Sequence, residues 1–355
     1  MSKRILKLVA TAVLLISQSS YANFNFGKDL SFENFSLEDF RKTLSRSVFE
    51  EDGWPKSISH DDGDYEVSYT INDQLTDFIV KQLKRYRSDY TSVVVIDNNT
   101  GEILSAVDME RKGNTVGKSM AFSSSHPAAS VFKVITAADL LENSDVDGET
   151  HFSYNGKSTT LYKYQLKDKK NRWTRDIKFQ KAFAWSNNVV FGKAAIKNTN
   201  FKSIFSTANK FGFNDELMQV LETGTSKLFP VESEYNLAEL ASGFNRKTMI
   251  SPLHGALIAS VIANGGLLKK PYVVKSIIDK KQEREVWRPQ HIIARAMSNQ
   301  AASELKHMMN MTVRKGTARG AFRPWKTKKI RDIEIGGKTG TLTGGVPYGR
   351  RDWFI

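Results

Sequence analysis

The chain has 355 residues, enough for one large domain or two modest ones, and 40% of them are apolar, which permits a sizeable core. It has no cysteine, which excludes disulfides, a thiol nucleophile and thiolate metal sites. The formal charge is +14, but the cations are dispersed apart from local clusters such as Lys326 to Arg331, so the charge reads as a solvated basic surface and not as a nucleic-acid footprint.

The first residues are set apart from the rest. Lys3, Arg4 and Lys7 form a basic head, Leu8 to Ile16 a short apolar stretch, and Ser20 and Ala22 place small side chains where a signal peptidase cuts. The stretch falls short of the roughly 20 apolar residues that span a bilayer. Residues 1–22 therefore read as a cleaved export signal, with an uncleaved tether as the other reading. An exported basic chain meets anionic envelope surfaces, and general electrostatic attraction suffices for association with them.

Residues 23–70 form an N-terminal segment whose role the sequence leaves open. Phe32, Phe35, Leu37, Phe40, Leu44 and Val48 recur at three-to-four spacing and predict a short amphipathic helix. Glu50 to Gly53 and Asp61 to Asp64 read as acidic loops. A packing appendage or a partner-binding arm would both fit, packing being the simpler. From Ile71 the pattern sharpens. Leu75, Phe78, Ile79, Leu83 and Tyr86 share one helical face. Ser92 to Ile96 predicts a strand, Asp97-Asn98-Asn99-Thr100-Gly101 a turn, and Glu102 to Val107 the returning strand of a hairpin. Helices are expected over Val131 to Leu141, Leu253 to Ala263 and Ser303 to Val313, and strands over Ile333 to Leu342 and Asp352 to Ile355. Strands at both ends with helices between them predict an α+β fold, an antiparallel sheet built from both termini beside a mostly helical subdomain.

Three short motifs carry chemistry: Ser130-Val131-Phe132-Lys133, Ser186-Asn187-Asn188 and Lys338-Thr339-Gly340. Each alone is weak; their order and context give them force. Lys133 lies about one helical turn from Ser130 on the same face. A serine hydroxyl needs a base to become a nucleophile, and a lysine amine serves if burial and neighbouring cations keep it neutral. Val131, Phe132, Val134 and Ile135 leave that helix no solvent face, so a lysine there needs a reason. Ser186 and Asn188 alone read as a helix cap. Beside the other motifs, Ser186 becomes a candidate proton relay and Asn188 a donor to substrate amides. The glycines around Lys338 permit close backbone approach, an edge along which a peptide can pair, with Lys338, Thr339, Gly340 and Thr341 placed to meet its terminal carboxylate. The six histidines form no HExxH pair, so no metal and no cofactor is expected.

The triple S-x-x-K, S-x-N, K-T-G resembles the pattern shared by penicillin-binding proteins and serine β-lactamases. Further segments resemble the transpeptidase domains of penicillin-binding proteins: Asp97 to Leu104, Trp185 to Lys193, Met249 to Pro271 and Gly316-Thr317-Ala318. The resemblance runs from about Ile71 to Ile355 and marks residues 71–355 as one transpeptidase-like domain. It implies that Ser130 attacks the carbonyl between two D-alanines of a peptidoglycan stem peptide and forms an acyl-enzyme, with Lys133 as base. It further implies Ser186 as relay to the leaving D-alanine, Asn188 as peptide anchor, and the backbone N–H groups of Ser130 and Thr341 as oxyanion hole. An amine or water then resolves the acyl-enzyme, giving a D,D-transpeptidase or a D,D-carboxypeptidase, and β-lactams trap it covalently. It also implies one more strand and a closing helix beyond Ile355, which this sequence does not contain. Two other readings stand beside it. One is a serine β-lactamase, for which Glu232, Glu234 and Glu239 lie outside the expected E-x-x-L-N setting. The other is a non-catalytic envelope protein that binds penicillin or wall peptides.

Overall fold

The computed structural model describes residues 36–50, 53–323 and 333–355; the expected leader at 1–22 and the basic cluster at Lys326 to Arg331 lie outside them. The N-terminal segment begins with α1 (Leu37–Glu50), which buries Phe40, Leu44 and Val48 along one stripe. The acidic stretch after it is a hairpin turn: Asp61 and Asp62 join β1 (Ser57–His60) to β2 (Gly63–Tyr69). Asn72 caps α2 (Asp73–Leu83), accepting from the Leu75 N–H at 2.9 Å. The expected hairpin follows as β3 (Tyr90–Ile96) and β4 (Ile103–Glu110), its turn held by the Asp97 carboxylate on the Asn99 N–H, and β5 (Thr115–Gly117) adds a third strand.

A short 3₁₀ turn (Ala129–Phe132) leads into α3 (Lys133–Asn143), whose residues Lys133 to Leu140 are all buried. Next come β6 (His151–Tyr154) and β7 (Arg175–Lys178), joined by a long connection, and then α4 (Phe179–Ala184), α5 (Asn188–Asn198), α6 (Phe201–Lys210) and α7 (Glu234–Ser242). Ser251 caps α8 (Pro252–Ala263), with proline in its first turn. The chain ends with β8 (Val274–Asp279), β9 (Arg284–Trp287), α9 (Asn299–Arg314), β10 (Thr339–Gly344) and β11 (Gly349–Phe354).

The architecture is α+β, with antiparallel strand groups around a buried helical centre. One sheet has the order β1-β2-β8-β9 and draws the N-terminal segment into the fold, with Val67 opposite Ile277. Phe40, Leu44, Ile58, Tyr65 and Val67 share one continuous core with α3, α5 and α8. Each large apolar side chain fully buried there contributes about 1.5–3 kcal/mol. The strands nearest the site, β3-β4-β5 and the β10–β11 hairpin, are two separate groups. A cavity of about 1140 Å³ lies between them, lined by β3, β11, α8 and α9. Trp353 and Ile355 pack on α8 at Gly255, and the Trp353 indole donates to the Pro127 carbonyl at 2.9 Å. Those contacts anchor the hairpin beside Ser130.

The helical centre is fixed by a buried carboxylate. Asp139 on α3 is fully buried and accepts from Asn143, Ser203 and Thr207 at 2.9, 2.6 and 2.9 Å, and also from Thr199. These donors tie α3 to α6 and to the segment after α5. Hydrogen bonds to a charged group are worth more than neutral ones, so Asp139 sets the axial position of the helix that carries Lys133.

Candidate active site

Lys133 stands at the first position of α3 with no exposed surface. Its Nζ donates to Ser130 Oγ at 2.9 Å, to Asn188 Oδ1 at 2.7 Å and to the Ser242 carbonyl. The ring of Phe191 lies 5.5 Å from the same nitrogen. Burial, with the positive charge of Lys338 nearby, holds the Lys133 ammonium well below the usual lysine range. No carboxylate contributes. A lysine in this setting sheds its proton readily, and Asn188 Oδ1 and the Ser242 carbonyl, which can only accept, hold its two remaining N–H bonds and leave the lone pair for the Ser130 hydroxyl.

A second cluster mirrors the first. Lys338, also fully buried, donates from Nζ to Ser186 Oγ and to the Thr339 carbonyl, both at 2.9 Å, with the ring of Phe183 at 5.6 Å. Burial alone pulls its pKa down to about 7. Lys338 is thus divided between charge states near neutrality, and while charged it depresses Lys133 further.

Local backbone explains why these side chains converge. Ala129 and Ser186 are both in the left-handed region, φ +49° and +55°, a conformation that costs a non-glycine residue about 1–3 kcal/mol. The strain sits beside the nucleophile candidate and on the relay candidate themselves. The cap role that Ser186 and Asn188 would share on sequence alone belongs to Asn187, whose side chain accepts from the Val190 N–H. That leaves Asn188 buried with both ends of its amide on protein partners, where the sequence alone has it donate to substrate amides: Oδ1 takes the Lys133 bond, and Nδ2 donates to the Thr159 carbonyl at 2.9 Å. Gly243, at φ +65°, ends α7 against the Ser130 turn. A Cβ there would meet the Ala129 carbonyl oxygen at 1.8 Å, so only glycine lets the Ser242 carbonyl reach Lys133.

The expected strand over Ile333 to Leu342 begins only at Thr339. Its first half is held by α9 instead, through Gly337 N–H to the Met309 carbonyl and Asn310 Nδ2 to the Ile335 carbonyl. Lys338 and Ile355 exchange both backbone bonds, at 2.9 and 3.1 Å, and the register continues unbroken past Thr341 opposite Asp352. Bonded and non-bonded pairs alternate in an antiparallel ladder, so Thr339, Thr341 and Thr343 turn their N–H and C=O groups to the outer edge. The Thr339 carbonyl accepting Lys338 and the Thr343 carbonyl accepting Arg246 Nε at 2.8 Å both lie on it. The face of the strand at Gly340 lies against the Ser130 turn, since a Cβ there would stand 3.3 Å from the Ser130 and Val131 nitrogens.

The hydroxyls expected to meet a carboxylate have protein partners: Thr339 Oγ1 with Thr317 Oγ1 at 2.5 Å, and Thr341 Oγ1 donating to Asp352 at 2.7 Å. The residues sequence reasoning missed are the Ser242 and Thr159 carbonyls, Thr317, Asp352, and the rings Phe183 and Phe191. Backbone carbonyls leave no sequence signature; Gly243, a helix-ending glycine, was the one legible trace of the first. Among the described residues no set of three His, Asp or Glu side chains can hold a metal, and no helix is long and apolar enough to cross a membrane.

Known proteins resemble the chain in sequence and in fold. The family model described as "Penicillin binding protein transpeptidase domain" matches residues 91–355. The chain is 22% identical over 334 residues to Stage V sporulation protein D of Bacillus subtilis, covering 88% of this chain and 50% of that protein. It is 27% identical over 232 residues to Peptidoglycan D,D-transpeptidase PbpA of Mycobacterium tuberculosis, covering 64% and 45%. The chain thus spans about half the length of these relatives. Its fold is similar to that of penicillin-binding protein A from M. tuberculosis in an imipenem acyl-enzyme complex, at a TM-score of 0.60 and 24% identity, covering 82% of this chain and 71% of that one.

Proposed function

Because the chain belongs to the penicillin-binding protein transpeptidase domain family, we propose that it is an acyl-serine enzyme acting on D-Ala-D-Ala stem peptides of peptidoglycan, with Ser130 as nucleophile. The observation that carries this reading is the 2.9 Å bond between Ser130 Oγ and a fully buried Lys133 Nζ on which no carboxylate acts. Neutral Lys133 takes the hydroxyl proton as Ser130 Oγ bonds to the carbonyl carbon of the penultimate D-alanine. The developing oxyanion accepts from the N–H groups of Ser130 and Thr341. The proton returns to the departing amine by way of Ser186, which Lys338 orients. The terminal D-alanine leaves, and the amine of a second stem displaces Ser130 in transpeptidation. Water in the same place gives carboxypeptidation.

A β-lactam enters the same steps but keeps its leaving group tethered, so the acyl-enzyme persists. The β-lactamase alternative needs a carboxylate to activate water. Glu232 and Glu234 are exposed, and Glu239 accepts from Asn236 at 3.0 Å, so none attends Ser130. Export fits the basic head and apolar stretch of residues 1–22, which would deliver the chain to the envelope where its substrate is found.

The test is covalent labelling of the full chain with a fluorescent penicillin, with Ser130→Ala as control. A lasting labelled band that disappears in the variant is expected. A folded wild-type protein that takes no label contradicts the enzyme reading. Label that is gained and lost within seconds favours the β-lactamase.

A further inference from the structure

The long connection between β6 and β7 has no part in the chemistry above, yet it is built onto the catalytic helix α5. The Ser158 carbonyl accepts from the Asn188 N–H at 2.7 Å, and the Thr159 carbonyl from Asn188 Nδ2. Lys193 on α5 donates to the Ser153 carbonyl at 2.9 Å and pairs with Asp168 at 2.6 Å, while Lys197 joins the same carboxylate at 2.5 Å. The connection is also fixed internally. Gln165 is fully buried within it, donating to the Asn155 and Lys157 carbonyls and accepting from Thr160 and the Tyr162 N–H. Tyr235 anchors its middle by donating to the Leu161 carbonyl at 2.8 Å.

What this fixed segment presents is unusual for a surface. Tyr162 and Tyr164 stack at 5.8 Å with an interplanar angle of 11°, and are 55% and 61% exposed. Trp173 is 70% exposed with the Arg172 guanidinium 4.8 Å from its ring. Lys157, Lys163, Lys167, Lys169, Lys170, Arg172 and Arg175 belong to the same stretch of chain, all exposed. The one acid within the segment, Asp168, is engaged by Lys193 and Lys197, whose hydrogen bonds and charge hold it below the usual carboxylate range. Among the described residues no carboxylate pairs with Lys157, Lys167, Lys169 or Lys170. Flat exposed rings stack on the faces of sugar rings, and uncompensated cations attract carboxylates.

We propose that the β6–β7 connection is a docking surface for an anionic glycopeptide strand, with Tyr162, Tyr164 and Trp173 taking sugar faces and the lysines and arginines of the same stretch the stem carboxylates. The choice of ligand rests on the proposed function. A strand whose stem reaches Ser130 must lie over the elements beside it, and Thr159 is three hydrogen bonds from Ser130 Oγ through Asn188 and Lys133. Charge alone would equally suit a nucleic acid; attachment to the site favours the glycopeptide.

The experiment measures binding of fluorescein-labelled, uncross-linked peptidoglycan strands to the full chain by anisotropy, with polyglutamate and a single-stranded oligonucleotide as comparison ligands. Three proteins are compared: wild type, Tyr162→Ala/Tyr164→Ala, and Lys167→Gln/Lys169→Gln/Lys170→Gln. Penicillin labelling of each reports on folding and on Ser130 independently. The expected result is labelling unchanged in all three, strand affinity reduced about tenfold in each variant, and a shallower salt dependence only in the lysine variant. Tyr162→Phe/Tyr164→Phe should bind as wild type. The proposal is overturned if both variants bind strands as tightly as wild type. It is also overturned if the tyrosine variant alone is unaffected while polyglutamate or the oligonucleotide binds as tightly as the strand, which would mark a surface for any polyanion. Loss of penicillin labelling in wild type would instead defeat the proposed function and leave the binding result to stand by itself.

Discussion

Lys133 and Lys338 and the cations of residues 157–175 are the same kinds of side chain in opposite dielectric settings. The buried pair has lost its water and gained no carboxylate, so each proton is weakly held. The exposed group keeps its water and its charge, and individual surface pairs there contribute at most about 1 kcal/mol. Burial turns a lysine from a charge display into proton chemistry. The rings that line both regions follow the same division. Phe183 and Phe191 form dry beds for amines, while Tyr162, Tyr164 and Trp173 stand open to ligand.

The comparison breaks most severely at Lys133. Lys133→Ala should slow acylation by penicillin about 10²–10⁴-fold, measured by stopped-flow or by time-resolved labelling. Lys133→Arg should rescue nothing, because a guanidinium keeps the charge but does not give up its proton. Recovery of the rate in the arginine variant would mean that charge, not proton acceptance, is what Ser130 needs.

A smaller effect sharpens the account at Lys338. Its pKa is about 7 in the folded chain and near 10.5 when unfolded. Between those values the unfolded chain holds a proton that the folded chain has released, so stability from this residue rises with pH. Below about 7 both states are protonated and the slope vanishes. Lys338→Met removes the titration. The melting temperature of the variant should therefore exceed that of wild type most at pH 6, and the gap should narrow steadily from pH 7 to 9. A gap that does not change with pH would contradict a released proton.

The sequence made the chemistry more legible than the architecture. Ser130 and Lys133 could be paired because one helical turn fixes their relation, and Val131 to Ile135 excluded solvent from it. The β1–β2 hairpin read as an acidic loop because the Asp61 to Asp64 run marks only its turn and the start of β2, and its partner, β8, lies about two hundred residues further on; local pattern holds no record of such pairing. Ser186 and Asn188 could not be separated from a cap until Asn187 was seen to take that role. The strand after Ile333 began late because α9 captured its first backbone groups. The Ser242 and Thr159 carbonyls were invisible, since every residue carries one.

The most direct measurement of the central claim is the protonation state of Lys133 itself. The full chain, labelled with ¹⁵N at its lysine side chains, would be observed by NMR at pH 7, with the Lys133 resonance assigned from its absence in Lys133→Ala. A chemical shift in the neutral-amine range for Lys133 at pH 7 is the predicted result. An ammonium shift for Lys133 that persists to pH 9 would contradict it.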